Sequence, residues 1–246
     1  IFKMARFVNT GVGGDSFQLN NTNGSVEINS LCVGKNPRSI QGTTQISSVL
    51  GPCSVRNLVS VGKPGTVGLI LNNLPGFSYG ENITQILYGA RTAVSNRAIN
   101  ITSFPSDVVV KDLYAAGAQI NFTNCANVIF NGISYADGIG SVQISTNVMS
   151  AIGTTNCANV VMSRLRNFGP MAPRNYLLAT DAASINLKLY DVDFDCANNT
   201  LSPVLQQSGG LEIKNAVVKN LRTGPLIDLP TTYLGNKLLV SKMIAT

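Results

Sequence analysis

Apolar and polar residues alternate in short segments of this chain, and these segments recur at intervals of 20 to 32 residues. The residues two and five places after each recurring apolar anchor are apolar or aromatic in fifteen of eighteen cases, although only 44% of the chain is hydrophobic. The third place is mostly polar, as expected for half-buried β-strands. The anchors are Val26, Val55, Ile83, Val108, Val128, Val160, Ile185, Leu211 and Leu238.

A second short apolar segment precedes most anchors, such as LIL before Ile83 and INF before Val128. Only a few turn residues separate the two segments, and the pattern weakens at Asn57 and Gln85. Two or three short strands per repeat, without helical periodicity, predict a solenoid whose coils stack about 4.8 Å apart.

The hexapeptide TNCANV occurs twice, at residues 123–128 and 155–160. If these segments lie on successive coils, Asn124 stacks on Asn156, because Asn tolerates the left-handed backbone of a tight turn. Cys125 then stacks on Cys157, with Asp181 in the Asn place of the next coil. A disulfide between the two cysteines is compatible with this spacing, although buried free thiols are the default.

The segment NCANVIFNGISYADG, residues 124–138, resembles the repeat of the pectate-lyase-like, right-handed parallel β-helix superfamily. In that superfamily, short strands flank a tight turn that carries an asparagine ladder. The resemblance covers residues 17–246 and implies an all-β, single-stranded right-handed parallel β-helix of about nine coils. Residues 1–16 would form a lead-in or cap. The superfamily includes polysaccharide lyases and hydrolases, bacterial adhesins, and trimeric phage tailspikes and other virion fibres.

Charge and composition exclude several classes of function. Charged residues make up 12% of the chain, the net charge is +6, and the basic residues are scattered, so we expect no nucleic-acid partner. No apolar run approaches the length of a membrane span. The chain contains five cysteines, an odd number, and no histidine, which argues against a zinc site.

The segment DVDFD holds the densest group of acids, at Asp191, Asp193 and Asp195. In an extended strand, neighbouring carboxylates would lie about 6.5–7 Å apart, a separation that suits glycoside hydrolysis. The same oxygens would suit Ca²⁺, the one cofactor considered. The alternative is a solvated strand edge with Val192 and Phe194 facing the core. The chain lacks the calcium-and-arginine motif of pectate lyases and the histidine of the polygalacturonase signature.

Further residues are candidates for binding a substrate near these acids. We expect Lys188 and Lys214 at the same outward place on successive coils, where an acidic sugar or phosphate, or Glu212, would separate their charges. Tyr135 is a candidate for stacking on a sugar ring. The full set of binding candidates is Arg164, Arg166, Lys188, Lys214, Glu212, Asp137 and Tyr135.

The leading hypothesis is a virion-associated, tailspike- or fibre-like protein that forms a rigid shaft and contacts host surface polysaccharide. It would be a homotrimer or part of a larger assembly, located on the virion or outside the cell. Low charge and the absence of histidine and tryptophan favour a structural shaft. The alternatives are a polysaccharide depolymerase that uses Asp191, Asp193 or Asp195, and a bacterial surface adhesin.

Overall fold

Strands and turns, and no helix, make up the part of the chain that the structure describes. The structure is a computed structural model. It describes residues 5–9, 17–35, 43–62, 67–87, 97–105, 107–117, 119–136, 150–168, 176–181, 183–196, 204–205, 210–220, 227–228 and 238–245.

The strands form two sheets, and the chain passes from one sheet to the other at each step. The longer sheet contains β1 (Ala5–Asn9), β3 (Val26–Lys35), β5 (Cys53–Gly62), β7 (Phe77–Leu87), β9 (Val109–Ala116), β11 (Ile129–Ala136), β13 (Val161–Phe168), β15 (Leu187–Asp195), β17 (Leu211–Lys219) and β19 (Leu238–Ala245). The shorter strands are β2 (Phe17–Thr22), β4 (Thr44–Val49), β6 (Val67–Asn72), β8 (Arg97–Thr102), β10 (Gln119–Thr123), β12 (Ser150–Thr155), β14 (Tyr176–Thr180), β16 (Val204–Leu205) and β18 (Ile227–Asp228).

All strand pairs are parallel and join equivalent strands of successive coils. This arrangement confirms the predicted all-β parallel solenoid. The longer sheet has ten strands, one more than the nine coils that were predicted. The additional strand is β1, which lies within the predicted lead-in and pairs with the second half of β3.

Three of the nine anchors are out of register. Cys53, rather than Val55, is the partner of Val26. Ile83 pairs with Leu58 and Leu113, five places further along the repeat. Leu187, rather than Ile185, is the partner of Leu211. A shift of two residues keeps the alternation intact, and so the apolar pattern alone did not reveal the errors at Cys53 and Leu187.

Each long strand except β1 bends at one residue with a positive φ, between 51° and 94°. These residues stack in register and form the last of three corners met along a coil, which we call the third corner. Its residues are Ser30, Asn57, Asn82, Asp112, Gly132, Arg164, Asp191, Asn215 and Lys242. Six of the nine are Asn, Asp or Gly, the residues that adopt this conformation at least cost.

Two more columns of positive-φ residues mark the other turns of the coil. The first corner lies near the end of the shorter strands or directly after it, at Asn21, Ser48, Asn73, Ser103, Asn124 and Asn156. The second corner precedes the longer strands, at Asp107, Asn127, Asn159, Asn186 and Gly210. These corners divide the coils into flat segments whose inward side chains form one continuous apolar core.

The interior is filled mainly by aliphatic side chains from both sheets, with aromatic pairs between them. The ring centroids of Phe122 and Phe130 are 4.4 Å apart, and those of Phe77 and Phe104 are 4.6 Å apart. No coil buries its apolar face alone, so burial between stacked coils stabilises the fold.

Candidate functional site

The two TNCANV segments lie on successive coils, as predicted. Ala126 bridges Ala158, and Asn156 Nδ2 donates a hydrogen bond to Asn124 Oδ1 at 2.7 Å. A second amide ladder follows at the second corner, where Asn159 Nδ2 donates to Asn127 Oδ1 at 2.9 Å. Asn186 Nδ2 extends this ladder to Asn159 Oδ1 at 3.2 Å. The repeated asparagines therefore join coils through their side chains as well as through the sheet.

Asp181 ends the ladder of the first corner. One of its carboxylate oxygens accepts hydrogen bonds from the backbone N–H of Asn156 at 3.0 Å and of Ser184 at 2.9 Å. The hydroxyl of Ser184 donates to the same oxygen at 2.6 Å. The carboxylate thus accepts hydrogen bonds from N–H groups of the turn. An Asn at this place would leave those N–H groups to find acceptors on the backbone.

All five cysteines are free thiols, and all except Cys32 are buried. Cys125 and Cys157 are buried on successive coils, where their thiols donate to the carbonyls of Thr123 and Phe122 at 3.4 and 3.5 Å. The adjacent Cys157 thiol and burial both raise the pKa of Cys125, and the adjacent Cys125 thiol lowers the pKa of Cys157. The pair fills the core of the turn.

The third corner carries its own ladder. Asn82 Nδ2 donates to Asn57 Oδ1 at 2.9 Å, and Asn57 Nδ2 donates to Asn29 Oδ1 at 3.1 Å. Further along the column, Arg164 crosses over Gly132 and its Nη2 reaches Asp112 Oδ1 at 3.0 Å. This predicted binding residue therefore joins β9 to β13.

The three predicted catalytic acids lie on β15, each with a partner on or just after β17. The predicted alternation is present, since Val192 and Phe194 are buried. Each carboxylate accepts a bond from the neighbouring coil: Asp191 from Asn215 Nδ2 at 3.0 Å, Asp193 from Lys219 Nζ at 2.9 Å, and Asp195 from Asn220 Nδ2 at 2.9 Å. Asp191 occupies the third corner, so a bend separates it from the flat segment that carries Asp193 and Asp195.

The predicted stacking of Lys188 on Lys214 is wrong. Lys188 is opposite Glu212, and Lys214 is opposite Tyr190. The error follows from the anchor, which is Leu187 rather than Ile185. Lys214 makes an ion pair with Glu212, and its hydrogen bond lowers the pKa of the Glu212 carboxyl.

Two other candidates differ in accessibility. Arg166 lies exposed over the ring of Phe168, at 4.9 Å, and opposite Asp193 in the sheet. Tyr135, predicted to stack on a sugar, is only 1% exposed, and its ring fills the core. The bend at Gly132 resets the alternation, which turns Tyr135 inward. Asp137 lies outside the described residues.

A surface recess of about 310 Å³ lies where the second-corner ladder ends. The next corner position after Asn186 is Gly210, which has a φ of 84° and no side chain. The residues that line the recess are Asn159, Asn186, Leu187, Lys188, Gly210, Leu211, Glu212 and Leu239. The alternation did not reveal this recess, although the break in the Asn column at Gly210 is a signal that could have done so.

The described residues contain no cluster of three or more metal-ligating His, Cys, Asp or Glu side chains. Among the same residues, no helix has the length and apolar character required to cross a membrane. No protein-family model, curated protein or solved structure significantly matches the chain.

Proposed function

We propose that this chain is a rigid structural shaft of a virion-borne or extracellular assembly, and that its outer face contacts host surface polysaccharide without cleaving it. The observation that carries the proposal is the set of three stacked corners, tied from coil to coil by side-chain ladders as well as by the parallel sheets. These ladders favour a mechanical role.

The ladders add stiffness at the turns, where a solenoid would otherwise bend. Each exposed amide bond contributes only about 0.5–1.5 kcal/mol, but the bonds repeat along the stack. Ten rungs at about 4.8 Å give a shaft roughly 43 Å long. A longer assembly would arise by joining such units.

The outward charges of β15 support the same proposal. Asp193 makes an ion pair with Lys219 at 2.7 Å, and Asp191 and Asp195 accept bonds from asparagines. The three carboxylates thereby join neighbouring coils. A pair of hydrolytic acids would instead face a common space where a glycosidic bond fits.

The test for catalysis compares the protein with the Asp191→Asn, Asp193→Asn and Asp195→Asn variants. We expect no release of oligosaccharides from acidic or neutral surface polysaccharides by the unmodified protein, measured by chromatography of reducing ends. Cleavage that the variants lose, with an unchanged circular dichroism spectrum, would establish a depolymerase and contradict the shaft proposal.

The mass in solution tests the assembly. Light scattering on the eluting protein should give three times the chain mass of 26.0 kDa, as expected for a trimeric spike. A monomeric mass at micromolar concentration would contradict the homotrimer.

A further inference from the structure

We propose that the recess at the end of the second-corner ladder binds an acidic sugar unit, such as the uronate of a polysaccharide. This inference rests on the proposed contact with surface polysaccharide and names the place and the chemistry of that contact. The recess is separate from the DVDFD acids, none of which lines it.

The recess exists because the ladder stops at Gly210. Asn127, Asn159 and Asn186 occupy the second corner of successive coils, each later amide donating to the one before. A Cβ atom at Gly210 would lie 2.5 Å from Asn186 Oδ1. Asn186 lines the recess, and its Oδ1 accepts no hydrogen bond from a described residue. It is therefore an oriented acceptor for a ligand hydroxyl.

The charges around the recess favour an anion. Glu212 lines it but is bound to Lys214, whose ammonium also lies 5.3 Å from the ring centroid of Tyr190. Lys188, opposite Glu212 on β15, interacts with that carboxylate through its charge but makes no hydrogen bond or ion pair with any described residue. The Lys188 ammonium is thus available to a ligand, and a ligand carboxylate would accept a charge-assisted hydrogen bond from it.

The remaining walls suit a sugar ring better than a simple anion. Leu239 is 37% exposed, and Leu187 and Leu211 border the same space. Apolar edges next to amide and carboxylate acceptors match a pyranose, which presents C–H groups on one face and hydroxyls at its rim. The volume is near the lower limit of about 300 Å³ for ligand pockets, so the recess fits a sugar unit rather than a long segment.

Calorimetric titration with a galacturonic acid trisaccharide tests the proposal. We expect saturable binding of one trisaccharide per chain and no measurable binding of the corresponding neutral galactose trisaccharide. Lys188→Gln should weaken binding about tenfold, the equivalent of one charge-assisted hydrogen bond. Gly210→Asn should abolish binding, because it places the corner residue of the preceding coils in the recess.

The matched control is Lys111→Gln, which removes an outward lysine on β9, outside the recess. If Lys111→Gln and Lys188→Gln weakened trisaccharide binding equally, binding would depend on the net charge of +6 and not on the recess, and the proposal would be overturned. Equal affinity for the neutral trisaccharide would overturn it as well. Displacement of the trisaccharide by inorganic phosphate at similar concentration would identify a simple anion site instead.

The outcome for the recess can be separated from the outcome for the shaft. A trimer that cleaves nothing and binds no trigalacturonate would overturn the recess alone. Cleavage of the trisaccharide during the titration would overturn the proposed non-catalytic function.

Discussion

Asn159 combines two properties that its corner requires. Its φ is 53°, a conformation that Asn adopts more readily than most residues, and its amide joins both neighbouring coils. Asn57 combines the same two properties at the third corner, whereas Gly210 has the backbone freedom without the amide. A single residue type therefore sets both the bend of the chain and the link to the next coil.

We predict that Asn159→Gly lowers the free energy of unfolding by about 1 kcal/mol, because the ladder bonds are lost. Asn159→Ala should lower it by about 1 kcal/mol more, because Ala also strains the left-handed backbone. Urea unfolding measures both. Asn23→Ala is the control, since Asn23 is exposed and outside the corners. Equal effects of Gly and Ala would show that backbone conformation does not matter at this position.

Two buried thiols make the free energy of unfolding depend on pH in the alkaline range. Burial raises the pKa of Cys53 and of Cys196 from 9.0 to about 11. The folded state therefore holds the neutral thiol more firmly than the unfolded state does, and this stability is fully present below pH 9. It is lost as the pH rises from 9 through 11, by an amount on the order of 2 kcal/mol for each thiol.

The measurement is the free energy of unfolding in urea at a series of pH values from 7 to 11. A Cys53→Ala, Cys196→Ala variant should lose less stability than the unmodified protein between pH 9 and 11. Since tyrosines and lysines titrate in both proteins, the difference isolates the thiols. Parallel curves for the two proteins would refute the assignment.

Among the strands, β9, β11 and β13 are joined by the side chain of Arg164, which bonds both of the strands before its own. Arg164 passes over Gly132, donates to Asn131 Oδ1 at 2.7 Å, and reaches Asp112. This passage requires glycine in the middle strand. The ion pair is half exposed, so its Coulomb energy is small, but the geometry fixes the residue type at its centre.

We predict that Gly132→Ala lowers the free energy of unfolding by about 1–3 kcal/mol. Its φ is 94°, and the added Cβ would lie 2.6 Å from Asp112 Oδ1 and 2.9 Å from Arg164 Nη2. Chemical unfolding compared with Gly24→Ala tests this, because a Cβ at Gly24 would meet nothing within 4 Å. Similar losses from the two substitutions would contradict the role of the corner.

The apolar pattern predicted the strands and their parallel stacking, because alternation records which side chains face the core. It failed where structure depends on contacts between distant residues. The bend at Gly132 turned Tyr135 inward, and a two-residue shift of the anchor paired Lys188 with Glu212 instead of Lys214. The recess depends on a missing side chain at Gly210 beside Asn186, a relation that follows from coil stacking and not from local sequence.

For the whole molecule, each coil contacts mainly the coils directly before and after it. Stability in such an array is approximately a sum of coil and interface contributions, so damage should remain local. Phe122 lies at the centre of the described core, against Phe130. It provides a place to test how far a packing defect extends.

We predict that Phe122→Leu accelerates amide hydrogen exchange in strands β8 to β13 and leaves β3 and β5 unchanged. The expected loss in stability is about 1–2 kcal/mol, from the smaller side chain. Mass spectrometry of peptic peptides locates the change, and Phe168→Leu is the control because Phe168 is 46% exposed. Uniform acceleration over all strands would instead indicate one cooperative unit.

The amide ladders also give the molecule a direction. Eight bonds between described side chains run from an asparagine on a later coil to an acceptor on an earlier one, and none of these ladder bonds is reversed. Where a ladder consists of asparagines alone, the amide dipoles add along the axis, so its earlier end offers N–H groups and its later end offers oxygens. Two such ends are complementary only head to tail. A filament that continued these ladders would therefore be polar, with chemically different ends.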